Sequence, residues 1–297
     1  MDEHAWLAER FEEHRPRLRA LAYRMLGSLA EADEAVQDAW LGVSRSGADE
    51  IENLRGWLTT VVARICLNIL QARKVRAEES AAWSMPDPII TPEGSLDPEH
   101  EVLLADSVGL ALQIVLDTLP AAERLAFVLH DMFDMPFDEI AAIMGRSSTA
   151  TRQLASRARR RVQGVPTPDP DLARQREVVN AFFAAAQKGD FDALIAVLDP
   201  EVVARYDGGT IRRGAEEVAR GALAGAAGTL RPMVVRPARV NGAAGAIVLA
   251  DGRPHAVMAF TVARGKIVEI NLVLDPDRLA RLDLRLGLRN SGSGLRS

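Results

Sequence analysis

Six arginines, one glutamine and no acidic residue fall between positions 146 and 162, in the stretch RSSTATRQLASRARRRV. Arginine and glutamine can each form two parallel hydrogen bonds to one base edge, and further arginines can hold phosphates. Projected at about 100° per residue, Leu154, Ala158 and Val162 form one apolar stripe. Thr149, Gln153, Ser156 and Arg160 lie opposite that stripe, Arg152 and Arg159 flank them, and Arg146, Ser148 and Arg157 complete the candidate set. The preceding FDEIAAIMG reads as a short amphipathic helix stopped at Gly145, with small Ala141 and Ala142 allowing close approach of a second helix. Ser147 or Ser148 is placed to cap that second helix. The pair has the layout of a helix-turn-helix whose second helix enters the major groove. A basic helix end in solvent, favoured by the helix dipole, remains the alternative.

The elements that must position this helix follow from apolar spacing. Residues 9–44 read as two helices with a turn at LGSLAEADEA, because Leu18, Leu21, Ala22 and Met25 recur at helical intervals. A third helix is expected over 54–76, after the polar loop SRSGADEIEN. WSMPDPIITPEGSLDPEH carries four prolines and reads as a linker. Helical texture returns over 103–162 with a break at Leu119 and Pro120, and GVPTPDPD forms a second linker. Residues 172–198 are helical, and from about 231 the runs MVVRPARV, GAIVLA, HAVMAFTV and KIVEINLVL read as strands between glycines. The expected fold is multidomain: two all-α domains over 1–80 and 107–164, then an α+β domain over 172–285. Linkers cover 81–106 and 165–171, and a disordered tail covers 286–297.

Composition narrows the classes. The 297 residues suit about two domains at ordinary domain size. No apolar run reaches the ~18 residues of a membrane span, and the acidic start MDEHAWLAERFEEH does not read as a secretory signal. A soluble, cytoplasmic protein without membrane association is expected. Cys66 is the only cysteine, which excludes an internal disulfide or a multi-cysteine metal site, and its apolar setting suggests a buried thiol. There is no Gly-rich nucleotide-binding loop, so no cofactor is expected. With 41 acids against 36 bases, any nucleic-acid site must be a local basic stripe.

Two longer stretches carry a resemblance. EADEAVQDAWLGVSR with NLRGWLTTVVARICLNILQARK resembles region 2 of the extracytoplasmic-function sigma factors, and LDTLPAAERLAFVLHDMFDMPFDEIAAIMGRSSTATRQLASRARRRV resembles their region 4. The resemblance implies a region 2 helical bundle that binds RNA polymerase core enzyme and melts the −10 promoter element, and a region 4 that reads the −35 element. Glu31, Glu34, Asp38 and Trp40 fall in the polymerase-binding stretch by this analogy, although the acids also suit a solvated helix face. SRSGADEIEN matches the family's loop that captures an unstacked −10 base, and Arg55, Arg64, Asn68, Arg73 and Lys74 follow it toward promoter DNA. Trp57 continues an apolar row with Val61, Ile65 and Ile69 and reads as core.

The chain continues well past region 4, and RQREVVNAFFAAAQKGDFDALIAVLDPEVVARYDGG resembles a SnoaL-like domain, a curved sheet wrapped into a cone. A subgroup of these sigma factors carries this extension with three short motifs. Their counterparts here are WSMPDP with Trp83 and Pro86, DGGTI with Asp207, Gly208 and Gly209, and DPDRL with Pro276, Asp277 and Leu279. The first has one extra residue, the second lacks the third glycine and the lysine, and the third has arginine for lysine. These residues are expected to dock the cone on the sigma regions and regulate them.

SnoaL-like cones also occur as small enzymes that use a histidine and a carboxylate. His255 is the only histidine of this domain, and strict alternation in PHAVMAFTV turns it away from Ala256, Met258, Phe260 and Val262, hence outward. Asp207, before two glycines, reads as a turn residue. A non-enzymatic sigma factor with a regulatory cone is therefore expected, with room for a small-molecule ligand. Two other classes stay open: a DNA-binding regulator acting without polymerase, and such a regulator fused to a ligand-binding or enzymatic cone.

Overall fold

The computed structural model describes residues 3–46, 53–77, 85–92, 109–227, 233–282 and 284. Helices α1 (Glu3–Leu26) and α2 (Leu29–Ser46) are separated only by Gly27 and Ser28. Gly27 has φ +73°, and a Cβ there would lie 2.7 Å from the Asp117 carboxylate, so backbone and neighbour both require glycine. Helix α3 (Leu54–Ala77) crosses this pair and buries Leu58, Val62 and Cys66 in one cluster with Leu21, Met25 and Val36. Trp57 packs against that cluster as an apolar residue, as its row suggests.

The second helical unit comprises α4 (Gly109–Thr118), α5 (Ala121–Phe127), a π turn (Val128–Met132), α6 (Phe137–Met144) and α7 (Ser148–Val162). The break between α4 and α5 falls at Pro120, which starts the new helix with no N–H to leave unpaired. Leu116, Leu125, Leu129, Ile140 and Ala158 belong to the same buried cluster as Leu21 and Met25. The two helical units therefore share one core instead of standing apart on a linker.

The last part is α+β: α8 (Leu172–Lys188), α9 (Phe191–Val197), β2 (Leu198–Tyr206), β3 (Ile211–Arg213), α10 (Ala215–Ala227), β4 (Met233–Val240), β5 (Ala243–Ala250), β6 (Arg253–Ala263), β7 (Lys266–Val273) and α11 (Pro276–Arg281). Strand β1 (Ile90–Pro92) comes from the segment that reads as a linker, yet it completes the sheet in the order β1-β4-β5-β6-β7-β2-β3. Neighbouring strands are antiparallel except β2 and β7. One face of the sheet packs Phe260 and Ile270 against Val179, Phe182, Leu194 and Val218 of α8, α9 and α10. The other face packs Val240, Ile247 and Val257 against Met85, Ile90, Leu110, Ile114 and Leu279. Strand β5, AAGAIVLA, is buried at every position but the last, as a strand covered on both faces must be. No described helix is long and apolar enough to cross a membrane.

Candidate nucleic-acid interface and interdomain clasp

Helix α7 is set at a fixed angle to α6 by two local devices. Gly145 ends α6 in the left-handed conformation at φ +62°, where its lack of a Cβ removes the steric cost. The side chain of Ser147, rather than Ser148, then caps α7 by accepting a hydrogen bond from Ala150 N at 3.2 Å. Leu154, Ala155, Ala158 and Thr151 face inward. Arg146, Thr149, Arg152, Gln153, Ser156 and Arg160 are exposed, and Ser148 is half-buried. The Arg152 guanidinium lies 5.5 Å from the centre of the Phe137 ring, which holds its stem against α6.

Two arginines of the candidate set have another use. Arg157 binds Glu123 at 2.8 Å and Arg161 binds the second oxygen of the same carboxylate at 2.9 Å. Arg159 binds Asp131 at 2.6 Å. Arg157 and Arg159, both expected to face DNA, thus also fasten α7 to α5 and the π turn. Arg146, Arg152 and Arg160 make no ion pair among the described residues, so the open basic surface is narrower than the sequence suggests.

The first helical unit shows a similar division. On α2, Glu34, Asp38 and Leu41 are exposed in succession, while Trp40 is half-buried against Phe11 with ring centroids 5.0 Å apart. Arg55, Arg64 and Asn68 are exposed along α3. Arg73 forms an ion pair with Glu31 and donates to Leu26 O at 3.1 Å. Both had been expected at binding surfaces, one toward DNA and one toward polymerase; the structure pairs them with each other. The Lys74 side chain, most of the loop SRSGADEIEN and Trp83 lie outside the described residues.

The C-terminus of α1 is the junction of the molecule. The carbonyls at its end, and Gly27 O just beyond it, receive donors from several other elements. Gln113 of α4 donates to Tyr23 O and Arg24 O at 3.3 Å, Arg124 of α5 donates to Met25 O at 2.6 Å, and Asp87 N donates to Gly27 O at 2.8 Å. Arg124 also pairs with Asp117 at 2.7 Å, and burial pushes the Asp117 carboxyl above its ordinary range while Arg124 opposes that. Tyr23 is fully buried; its hydroxyl donates to Asp87 O at 2.6 Å and accepts from Asn241 Nδ2 at 3.1 Å. Burial holds its proton well above the usual phenol range.

Residues 85–92 join this junction to the cone. Asp87 Oδ2 accepts from Leu29 N, the first residue of α2, at 3.2 Å. Ile89 exchanges hydrogen bonds with Asn241, through N to Oδ1 at 3.1 Å and through O from N at 2.8 Å. Arg278 of α11 donates to Met85 O at 2.6 Å, Pro86 O at 3.2 Å and Asp87 Oδ1 at 3.2 Å. Asp275 caps α11 through Arg278 N at 2.8 Å, with Pro276 in the first turn, Asp277 beside it and Leu279 buried. Asp207 Oδ2 accepts from Leu274 N and Asp275 N, both at 2.9 Å, so the turn that contains Gly208 and Gly209 holds the approach to α11. The second linker is fixed as well: Asp169 accepts from Arg264 N at 2.8 Å and Gly265 N at 2.9 Å, which lowers its carboxyl pKa.

The cone encloses a cavity of about 840 Å³ between α8, α10 and the sheet. His255 lines it, contrary to the expectation from alternation. The register between β5 and β6 jumps from Val248–Ala256 to Leu249–Pro254, leaving His255 as an extra residue. Such a bulge breaks the two-residue period. Gln187, Lys188 and Tyr206 are further polar groups on the wall, and the described lining includes no carboxylate.

These features define a protein of promoter recognition with a cone attached. Residues 10–76 match the Sigma-70 region 2 family, residues 110–162 match Sigma-70, region 4, and residues 179–270 match the SnoaL-like domain family. The chain is 34% identical over 293 residues to a probable ECF RNA polymerase sigma factor, SigI, of Mycobacterium tuberculosis, covering 97% of this chain and 99% of that protein. It is 36% identical over 295 residues to ECF RNA polymerase sigma factor SigJ of the same organism, covering 93% and 94%. The crystal structure of M. tuberculosis SigJ matches with a TM-score of 0.74 at 33% identity, over 92% of this chain and 98% of that one. The chain belongs to the extracytoplasmic-function RNA polymerase sigma factors, with regions 2 and 4 followed by a SnoaL-like domain.

Proposed function

We propose that this sigma factor binds RNA polymerase core enzyme through the exposed Glu34, Asp38 and Leu41 face of α2 and places α7 on a −35 element. Thr149, Arg152, Gln153, Ser156 and Arg160 read bases and phosphates there, and Arg55, Arg64 and Asn68 of α3 follow the DNA near −10. The observation that carries this reading is the exposed, carboxylate-free surface of α7 held by Ser147 and Gly145. The protein acts in the cytoplasm, where polymerase and promoter are, and it turns over no substrate. The cone regulates initiation by holding residues 85–92 against the α1–α2 turn, which sets how the two DNA-reading units sit relative to each other. Arg278, Asp207 and Leu279 serve that clasp. Co-elution of the full chain with core enzyme tests the first part. Loss of co-elution from Glu34→Lys with Asp38→Lys, at unchanged helix content, supports the α2 surface, and retained co-elution refutes it.

A further inference from the structure

The polar relay of the clasp begins in the wall of the cavity. Tyr206 and Leu274 both line it. Asp207, next to Tyr206, holds the amides of Leu274 and Asp275. Asp275 caps α11, and α11 carries Arg278 onto Met85 and Asp87. Two short turns therefore separate a cavity surface from the junction of the helical units.

The wall specifies an occupant. Phe182 and Phe183 present rings in an edge-to-face group with Phe260, centroids 5.5 to 5.7 Å apart, and Met258, Ile270 and Leu272 continue the apolar surface. Flat apolar ring systems match such walls. The rim holds the exposed cation Lys188, with His255 also on the lining, and Lys188 has no ion-pair partner among the described residues. With no carboxylate on the described wall, an acidic head group gains attraction and a cationic one gains none. The volume of about 840 Å³ lies in the upper range of small-molecule sites.

We propose that the cone is the receptor site for an apolar ring compound bearing one acidic group, and that filling it tightens the Arg278–Asp87 clasp. This rests on the reading of the cone as a regulatory domain, but the binding step needs no polymerase. A ligand packed on Tyr206 and Leu274 restrains the 207 turn and the 274–275 amides, and so orders α11. Only such differential contact with the ordered state can shift the clasp.

The test uses the full chain and two dyes that differ by one charge, 8-anilinonaphthalene-1-sulfonate and neutral N-phenyl-1-naphthylamine. Both should bind with a stoichiometry of one, and the sulfonate should bind several-fold more tightly. Lys188→Gln, a change at an exposed site, should remove that preference and leave the neutral dye unaffected. Ala222→Trp on the cavity wall should abolish both. Hydrogen exchange at the amides of Asp87 and Ile89 should slow several-fold when the sulfonate is saturating. Equal affinities for the two dyes, or a preference that survives Lys188→Gln, overturn the acidic-ligand assignment. Unchanged or faster exchange at Asp87 and Ile89 overturns the coupling. Either failure leaves co-elution with core enzyme intact, so it is separable from failure of the sigma-factor reading.

Discussion

Asp87 and Arg278 stand 191 positions apart, and the guanidinium of Arg278 lies 3.2 Å from one Asp87 oxygen while the other oxygen accepts from the first amide of α2. One carboxylate thus joins the sigma region 2 helices to the last helix of the cone. Because Arg278 also holds Met85 O at 2.6 Å, the contact fixes backbone as well as charge.

The clasp predicts a coupled loss of stability. Hydrogen bonds to a charged group contribute about 1.5–3 kcal/mol, and the pair is partly exposed, which lowers that figure. Arg278→Ala and Asp87→Asn should each cost about 1–2 kcal/mol in urea unfolding, and the double variant should cost less than the sum. Additive losses would show that the two residues act independently. In transcription with core enzyme, Arg278→Ala should change the rate several-fold.

On α7, Arg152→Ala or Gln153→Ala should cost about 1–3 kcal/mol of promoter affinity and relax discrimination at one −35 position. Arg160→Ala should weaken all sequences alike and lower the salt slope by about one unit. Binding titrations on a randomised −35 set at three salt concentrations distinguish these outcomes.

Arg157→Ala should behave differently from Arg152→Ala, since its partner is Glu123 inside the fold. Its cost should appear as a lower unfolding midpoint, about 0.2–1 kcal/mol for a half-exposed arginine, with −35 preference unchanged. Glu123→Ala should cost more, about 1–3 kcal/mol, because it releases Arg157 and Arg161 together. Unfolding curves alongside −35 selection on the same variants check the separation.

Cys66 supplies a pH dependence. Burial pushes its thiol from the ordinary 9.0 up to about 12, so the folded chain retains the proton where the unfolded chain loses it. Its contribution is fully present below pH ~9 and is lost as pH rises toward the folded value, by about 1.4 kcal/mol per pH unit from this group. Cys66→Ala should flatten that part of the stability profile. Native protein at pH 8 should resist iodoacetamide until unfolded.

What could be read in the sequence was whatever local chemistry determines. Gly145 and a serine at 147 or 148 mark the turn before α7, and the run MVVRPARV gives β4 residue for residue. GAIVLA announced a strand, though not that α4 and residues 85–92 cover its second face. Strand β1 escaped because three residues among prolines have no strand signal of their own; β4 supplies their partners. Strands β2 and β3 and helix α10 were also unforeseen. In β2 an Asp-Pro-Glu opening hides a segment that pairs with the distant β7.

The site residues divide by the same rule. Exposure of Thr149, Arg152, Gln153 and Arg160 followed from helical phase. The ion pairs of Arg157, Arg159 and Arg73 did not, because their partners Glu123, Asp131 and Glu31 lie on other elements. His255 was misplaced by a bulge that only the pairing with β5 creates. The junction residues Tyr23, Gln113, Arg124 and Asn241 gave no sequence signal. Each serves a carbonyl or hydroxyl brought near by the packing.

The most direct measurement is run-off transcription from a randomised promoter library with core RNA polymerase, with and without the purified chain. Defined start sites sharing a −35 and −10 pair should appear only when the chain is added, and Arg152→Ala should relax one −35 position among them. No initiation above core enzyme alone, or start sites sharing no such pair, would contradict the account.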